Sequence, residues 1–170
     1  LDAVRAAEHA DPHPRDRVFA LAIARSMQDP PLDGLVPTLW SHAIGQIAYH
    51  DGSGRLVVVC AGNAREEQWL TLAAGYPQLQ LSEKIHQPAQ AANALTVGAF
   101  TGRVALPASK DYAEARVVAP LSGGISPFTS TGIPGAEWPI KPDIVMEGGN
   151  LAIAGVLPDS NFPAGSATIA

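Results

Sequence analysis

The sequence predicts an α/β domain: a mostly parallel sheet with helices on both faces. Three observations point there. Leu56 to Ala61 is a near-continuous apolar run, the pattern of a parallel strand covered on both sides. Residues 39–50 carry apolar side chains at helical spacing and lie between two strand-like runs. The 16 glycines and 15 prolines imply short elements joined by tight turns. A strand–helix–strand unit is the elementary piece of such a layered fold.

The bulk numbers are compatible. The 170 residues fit one domain or a large piece of one. With 46% hydrophobic and 16% charged residues, the chain can bury a core. A net charge of -5 and the lack of a basic stripe argue against a nucleic-acid binder. Cys60 is the single cysteine, so no internal disulfide can form. No apolar run reaches membrane-spanning length, and the charged, proline-broken start is not a signal peptide. The first residue is not Met and the last six, GSATIA, form no polar tail, so the chain reads as part of a longer domain.

Residues 1–16 are polar, hold Pro12 and Pro14, and are expected to be a connector. Arg17 to Ile23 reads as a short buried strand, and residues 26–38 as a proline-rich loop. After Thr38, Trp40, Ala43, Ile44, Ile47 and Ala48 share one helix face. Asp51-Gly52-Ser53-Gly54 stops that helix. Leu56 to Ala61 follows as a central strand. Pro88 to Ala92 predicts a helical turn, and Asn93 to Ala99 a further strand. Arg116 to Ala119 is another short strand, residues 120–139 are loop, and Ile144 to Met146 is a short apolar strand closed by Gly148-Gly149.

The central strand ends in Ala61-Gly62-Asn63. Ligands of open α/β sheets gather just past the carboxyl ends of strands. The Asn63 carboxamide offers two donors and no net charge. Such a group suits negative charge that exists only in a transition state. Gly62 permits a tight turn and close approach. On these three residues alone, local capping of the turn is the simpler account.

VVVCAGN resembles the segment of subtilisin-like serine proteases, the subtilases, that carries the oxyanion-hole asparagine. Three further stretches resemble the same family in the same order: AANALTVGA from Ala91, ISPFTSTG from Ile125, and KPDIVMEGG from Lys141. The resemblance covers roughly residues 17–150. It implies a subtilisin-like but incomplete fold, with residues 17–170 forming part of a catalytic domain. It implies a serine endopeptidase that cuts peptide bonds through an acyl-enzyme. Asn63 would serve the oxyanion hole. Leu21, Ala22, Ile23 and Ala24 would pair with extended substrate, and Ala61 and Gly62 would line the pocket beside them. No cofactor and no metal ion is implied, and the partner is a peptide or protein substrate, not nucleic acid or membrane.

The triad motifs are missing. No His-Gly-Thr follows His9 or His13, which read as solvated loop histidines. The Gly-Thr-Ser motif is absent too. Ser166, in Gly165-Ser166-Ala167, lies 17 residues past Gly149 but lacks the preceding Thr and following Pro. It is a disfavoured nucleophile and is expected in a loop, with the family's serine beyond residue 170. The chain alone is therefore expected to be inactive, with bare apolar surface that favours self-association. A pseudo-protease, using the fold as a binding or scaffold module, is the alternative.

Other features have plainer readings. Leu121-Ser122-Gly123-Gly124 imitates an ATPase signature, but no phosphate loop accompanies it. Its glycines suit a turn into the following loop. Cys60 reads as a buried, inert thiol. Glu66 and Glu67 start a helix. His42 and His50 lie on the wet side of theirs, and Lys141-Pro142-Asp143 is structural.

Overall fold

The computed structural model describes residues 2–10, 16–25, 37–52, 54–64, 69–106, 108, 113–131, 140–154 and 166–169. Helix α1 (Asp2–His9) lies in the segment expected as a connector. It is alanine-rich, with Asp2 in its first turn and His9 in its last, both favourable for a helix. None of its residues is buried. Arg55 holds it in place, since Nε and Nη2 donate to the two oxygens of Glu8, the second at 2.8 Å. Arg55 Nη1 also donates to the Ile47 carbonyl at 3.1 Å, tying α1 to the next helix.

Strand β1 (Val18–Leu21) is shorter and wetter than expected. It alternates exposed and half-buried residues, with Val18 62% exposed. The reason is its place: it pairs only with β2 and forms one margin of the sheet among the described residues. Helix α2 (Leu39–Tyr49) begins where expected, with Thr38 Oγ1 accepting from the Ser41 N–H at 3.3 Å. It ends at His50, whose left-handed φ of 42° closes the last turn. Ser41, Ile44, Gly45 and Ala48 face inward, so the buried stripe is rotated slightly from the one read off the apolar residues.

Strand β2 (Leu56–Cys60) is central, as expected, parallel to β1 on one side and to β3 (Leu95–Thr101) on the other. Val57, Val59 and Ala61 pack with Ile44 and Ala48 of α2, and with Ile85, Ala89, Ala91 and Ala94. The opposite face is not buried: Leu56 is 48% exposed, and Val58 and Cys60 are half-buried. Expected cover on both faces is thus found on one side of β2 among the described residues. An all-apolar strand hides its period of two, so composition could not reveal this. Cys60 likewise is half-buried rather than sealed, with Sγ 3.7 Å from the Ile23 carbonyl.

Strand β3 is the hub. Besides β2 it pairs in parallel with β6 (Ile144–Glu147) and antiparallel with β5 (Gly124–Ile125). The sheet is therefore mixed but mostly parallel, an α/β arrangement. Buried Lys141 locks β6 to β3: Nζ donates to the Ala94 carbonyl and to Asp143 Oδ2, both at 2.7 Å. Asp143 Oδ2 in turn accepts from the Thr96 N–H at 2.6 Å. The structural reading of Lys141-Pro142-Asp143 agrees with this arrangement.

A second, three-stranded sheet is not among the expectations, although its first strand, expected at Arg116 to Ala119, is found one residue earlier. It joins β4 (Ala115–Val117), β7 (Asn150–Ala154) and β8 (Ser166–Ile169), all antiparallel. Helix α3 (Trp69–Ala74) follows the stretch where Glu66 and Glu67 are expected to start a helix, and helix α4 (Gln78–Ser82) is additional. Trp69, Ala73 and Tyr76 pack on Val118, Leu151 and Ile153 of the small sheet and its margin. Asn150 is fully buried and fully used. Its Oδ1 accepts from the Ala119 and Leu151 N–H groups, and its Nδ2 donates to the Arg103 and Ala119 carbonyls.

Two tests follow from these contacts. Replacing Lys141 by Met leaves the Ala94 carbonyl and Asp143 without their shared cation. Asp143 is 34% exposed, so water recovers part of the loss. Urea unfolding should show a loss of about 2 kcal/mol, below the range for a wholly buried pair; an unchanged midpoint would contradict the clamp. Glu147 accepts from the Gly102 N–H at 2.6 Å and from the Gly149 N–H at 3.0 Å. These bonds, the Gly102 one foremost, hold its pKa below the ordinary value. Its ionised form therefore adds stability above that ordinary value, and the gain is lost as pH falls through the folded pKa. Between about pH 6 and pH 3, Glu147→Gln should show a smaller drop in Tm than the parent chain. Parallel Tm curves would show that the carboxylate is indifferent to folding.

Candidate functional site

Strand β2 keeps its ladder one residue past its end, because the Ala61 N–H donates to the Val97 carbonyl of β3 at 2.8 Å. The chain then changes partner. Gly62 takes φ of +123°, which a residue with a side chain rarely adopts. Beyond it, Asn63 forms an antiparallel bridge with Thr129. The bridge consists of Ser130 N–H to the Gly62 carbonyl at 3.2 Å and Ala64 N–H to the Phe128 carbonyl at 2.8 Å. The Ala61 carbonyl accepts from the His86 N–H at 2.9 Å. Both backbone groups of Ala61, the Gly62 carbonyl and the Ala64 N–H are thus bonded to three other segments, and Asn63 itself is exposed.

The loop that receives the turn is fixed by buried hydroxyls. Ser126 and Ser130 are fully buried and Thr129 is nearly so. Ser126 Oγ donates to the Gly149 carbonyl at 2.9 Å. Thr129 Oγ1 accepts from the Ala99 N–H of β3 at 3.0 Å, and the Ser126 N–H donates to the Ala99 carbonyl at 3.1 Å. Gly123, with φ of +82°, turns the chain into β5 just ahead of this loop, as expected of the Ser122-Gly123-Gly124 stretch. On the far side, Trp69 Nε1 donates to the Ala64 carbonyl at 3.2 Å, and its ring stands edge-on to Phe128, centroids 5.3 Å apart.

The segment Leu21 to Ala24 lies beside this turn. Leu21 pairs with Val59, and Ala22, Ile23 and Ala24 continue past the strand as exposed residues. The Arg25 N–H donates to the Gln87 carbonyl at 3.0 Å, while the neighbouring His86 holds Ala61. Residues 86–87 therefore bridge the segment at 22–25 and the turn at 61–62.

The expected site residues are not all brought together. Leu21 to Ala24 and Ala61 to Asn63 adjoin one another at the carboxyl ends of β1 and β2. Ser166 is not in a loop as expected: it opens β8 and pairs with Ile153, in the other sheet. The pattern Ser-Ala-Thr-Ile carries too weak an alternation to have announced that strand. His9 is exposed at the end of α1, where Nδ1 lies 2.7 Å from the Arg5 carbonyl, so it belongs to a helix and not to a loop. His42 and His50 are exposed, as expected. His13, Glu66 and Glu67 lie outside the described residues. Among the described residues no three His, Cys, Asp or Glu side chains gather as metal ligands, and no helix is long and apolar enough to cross a membrane.

Sequence reasoning missed His86. It is buried against Gly62, with Nε2 hydrogen-bonded to Ser130 Oγ at 3.2 Å. No local spacing signals it, because its partners are 24 and 44 residues away in the chain.

A comparison with protein families bears on this geometry. The model of the subtilase family matches residues 4–169, nearly the whole chain. None of the curated proteins and none of the solved structures gives a significant match.

A Cβ on Gly62 would stand 2.5 Å from His86 Cγ, whereas one on Gly54 would meet nothing within 4 Å. Both glycines have positive φ. Gly54→Ala should therefore cost only the backbone strain, about 1 kcal/mol. Gly62→Ala adds a collision with a buried ring and should cost about 3 kcal/mol or more in denaturant unfolding. Equal losses for the two would show that the ring does not constrain the turn.

Proposed function

This chain belongs to the subtilase family, and we propose on that premise that it contributes the oxyanion-binding and substrate-binding part of a serine endopeptidase. The observation that carries this reading is the placement of Asn63. It is exposed, past the carboxyl end of a central parallel strand, on a turn whose backbone bonds are made by others. The bonds that hold the turn come from Val97, His86, Phe128 and Ser130, which supports a role for the Asn63 side chain other than capping.

In the proposed reaction a serine hydroxyl attacks the scissile carbonyl carbon. A C–O bond forms, the hydroxyl proton passes to a base, and the carbonyl π pair moves onto oxygen. The Asn63 Nδ2–H donates to that oxyanion. The donor carries no net charge, so it strengthens as the oxygen gains charge and binds the resting carbonyl only weakly. Collapse of the intermediate breaks the C–N bond as the base returns its proton to the leaving amine, and water then cleaves the acyl-enzyme that remains. The exposed residues Ala22 to Ala24, past the end of a marginal strand, would offer an extended peptide a partner for main-chain pairing, with Ala61 and Gly62 walling the adjoining pocket. The nucleophile, its base and the orienting carboxylate come from outside these residues. Ser166, in a strand of the other sheet, is not favoured for that role.

In the full-length protein, Asn63→Ala should lower kcat far more than it raises KM. The expected loss is roughly 10²–10³ in kcat, the size of the effect in subtilisin itself when its oxyanion-hole asparagine is removed. Steady-state kinetics on a peptide substrate measure it. An unchanged kcat would reduce Asn63 to a turn residue.

A further inference from the structure

We propose that His86 is a positioning residue: its imidazole, tied to Ser130, sets the direction in which Asn63 is presented. The proposal rests on the oxyanion reading of Asn63 and goes beyond it. Gly62 is held at three points. The His86 N–H fixes the carbonyl before it, the Ser130 N–H fixes its own carbonyl, and the His86 ring fills the space its missing side chain leaves. The two residues that hold the turn are themselves hydrogen-bonded, His86 Nε2 to Ser130 Oγ at 3.2 Å. His86 is 8% exposed and Ser130 is fully buried.

A purely space-filling role would be met more cheaply by an apolar side chain, because a buried imidazole needs a partner to offset its desolvation. The ring instead links the two sides of the turn. The Gly62 carbonyl belongs to the peptide unit that leads into Asn63, so the tilt of that unit aims the Asn63 side chain. Loosening either residue lets the unit rotate. Donor placement to within about an ångström governs the benefit of an oxyanion contact, and such errors cost up to roughly a hundredfold in rate.

The test is a double-mutant cycle in the full-length protein, with kcat and KM on a peptide substrate. Ser130→Ala removes one hydroxyl and keeps the backbone donor. His86→Ala removes the ring, and His86→Gln restores a hydrogen-bonding group. Ser130→Ala and His86→Ala should each lower kcat roughly tenfold or more with little change in KM. His86→Gln should recover part of the loss. In an Asn63→Ala background both losses should shrink to less than about twofold, because the donor they aim is gone. Equal losses with and without Asn63 would overturn the proposal and leave His86 a structural residue. No loss in Ser130→Ala would overturn it as well, even if His86→Ala fails to fold. Asn63→Ala with normal kcat would instead sink the oxyanion reading, and this inference with it.

Discussion

Strand β2 can leave its sheet at Ala61 because residue 62 has no side chain. Up to Ala61 the strand bonds to β3. After Gly62 it bonds to the loop at 126–130. A ladder cannot switch partner without a break in backbone direction, and φ of +123° supplies it. The same missing Cβ lets the His86 ring approach closely. One conformational permission thus ends the strand, seats a buried histidine and exposes Asn63 at the rim. The strain-free alternative, a straight continuation of β2, would keep Asn63 in register with β3 and out of any site.

The turn depends in turn on β3. That strand receives β2 and β6 in parallel and β5 antiparallel, and Ala99 holds the 126–130 loop through both its N–H and its carbonyl. Close packing here again requires an absent side chain, since a Cβ on Gly98 would lie 2.7 Å from Pro142 Cγ. Lys141 reaches under the same strand to the Ala94 carbonyl. A loop bonded only to water would wander on the scale that matters for a donor. A loop whose hydroxyls are buried and bonded to the central strand does not. The route from core packing to the proposed chemistry therefore runs through β3 to Thr129 and Ser130, and from them to Gly62 and Asn63.

Much of this is legible where the pattern is local. Trp40 to Ala48 announces α2 by its spacing, and Thr38 its start. The apolar run at 56–61 announces β2, and Gly62-Asn63 marks its end. What stays hidden is long-range. Val57 and Val58 look alike in sequence, yet one is buried by α2 and the other is half-exposed. Leu151 and Ile153 look like a tail after Gly149, but they form the centre of a second sheet because β4 and β8 pair on either side of β7. His86 carries no motif of its own; its meaning comes from contact with Gly62 and Ser130. Ser166 lies at a plausible sequence distance from the motifs, and only strand pairing shows it in the other sheet.

The central claim is geometric, that the Asn63 carboxamide points where an oxyanion forms. The most direct measurement is a crystal structure of the full-length protein with a peptide boronate or aldehyde bonded to its nucleophilic serine. The account predicts Asn63 Nδ2 within about 2.7–3.1 Å of the tetrahedral oxygen, with Gly62 still against the His86 ring. A tetrahedral oxygen held by other donors, with Asn63 turned away from it, would contradict the account.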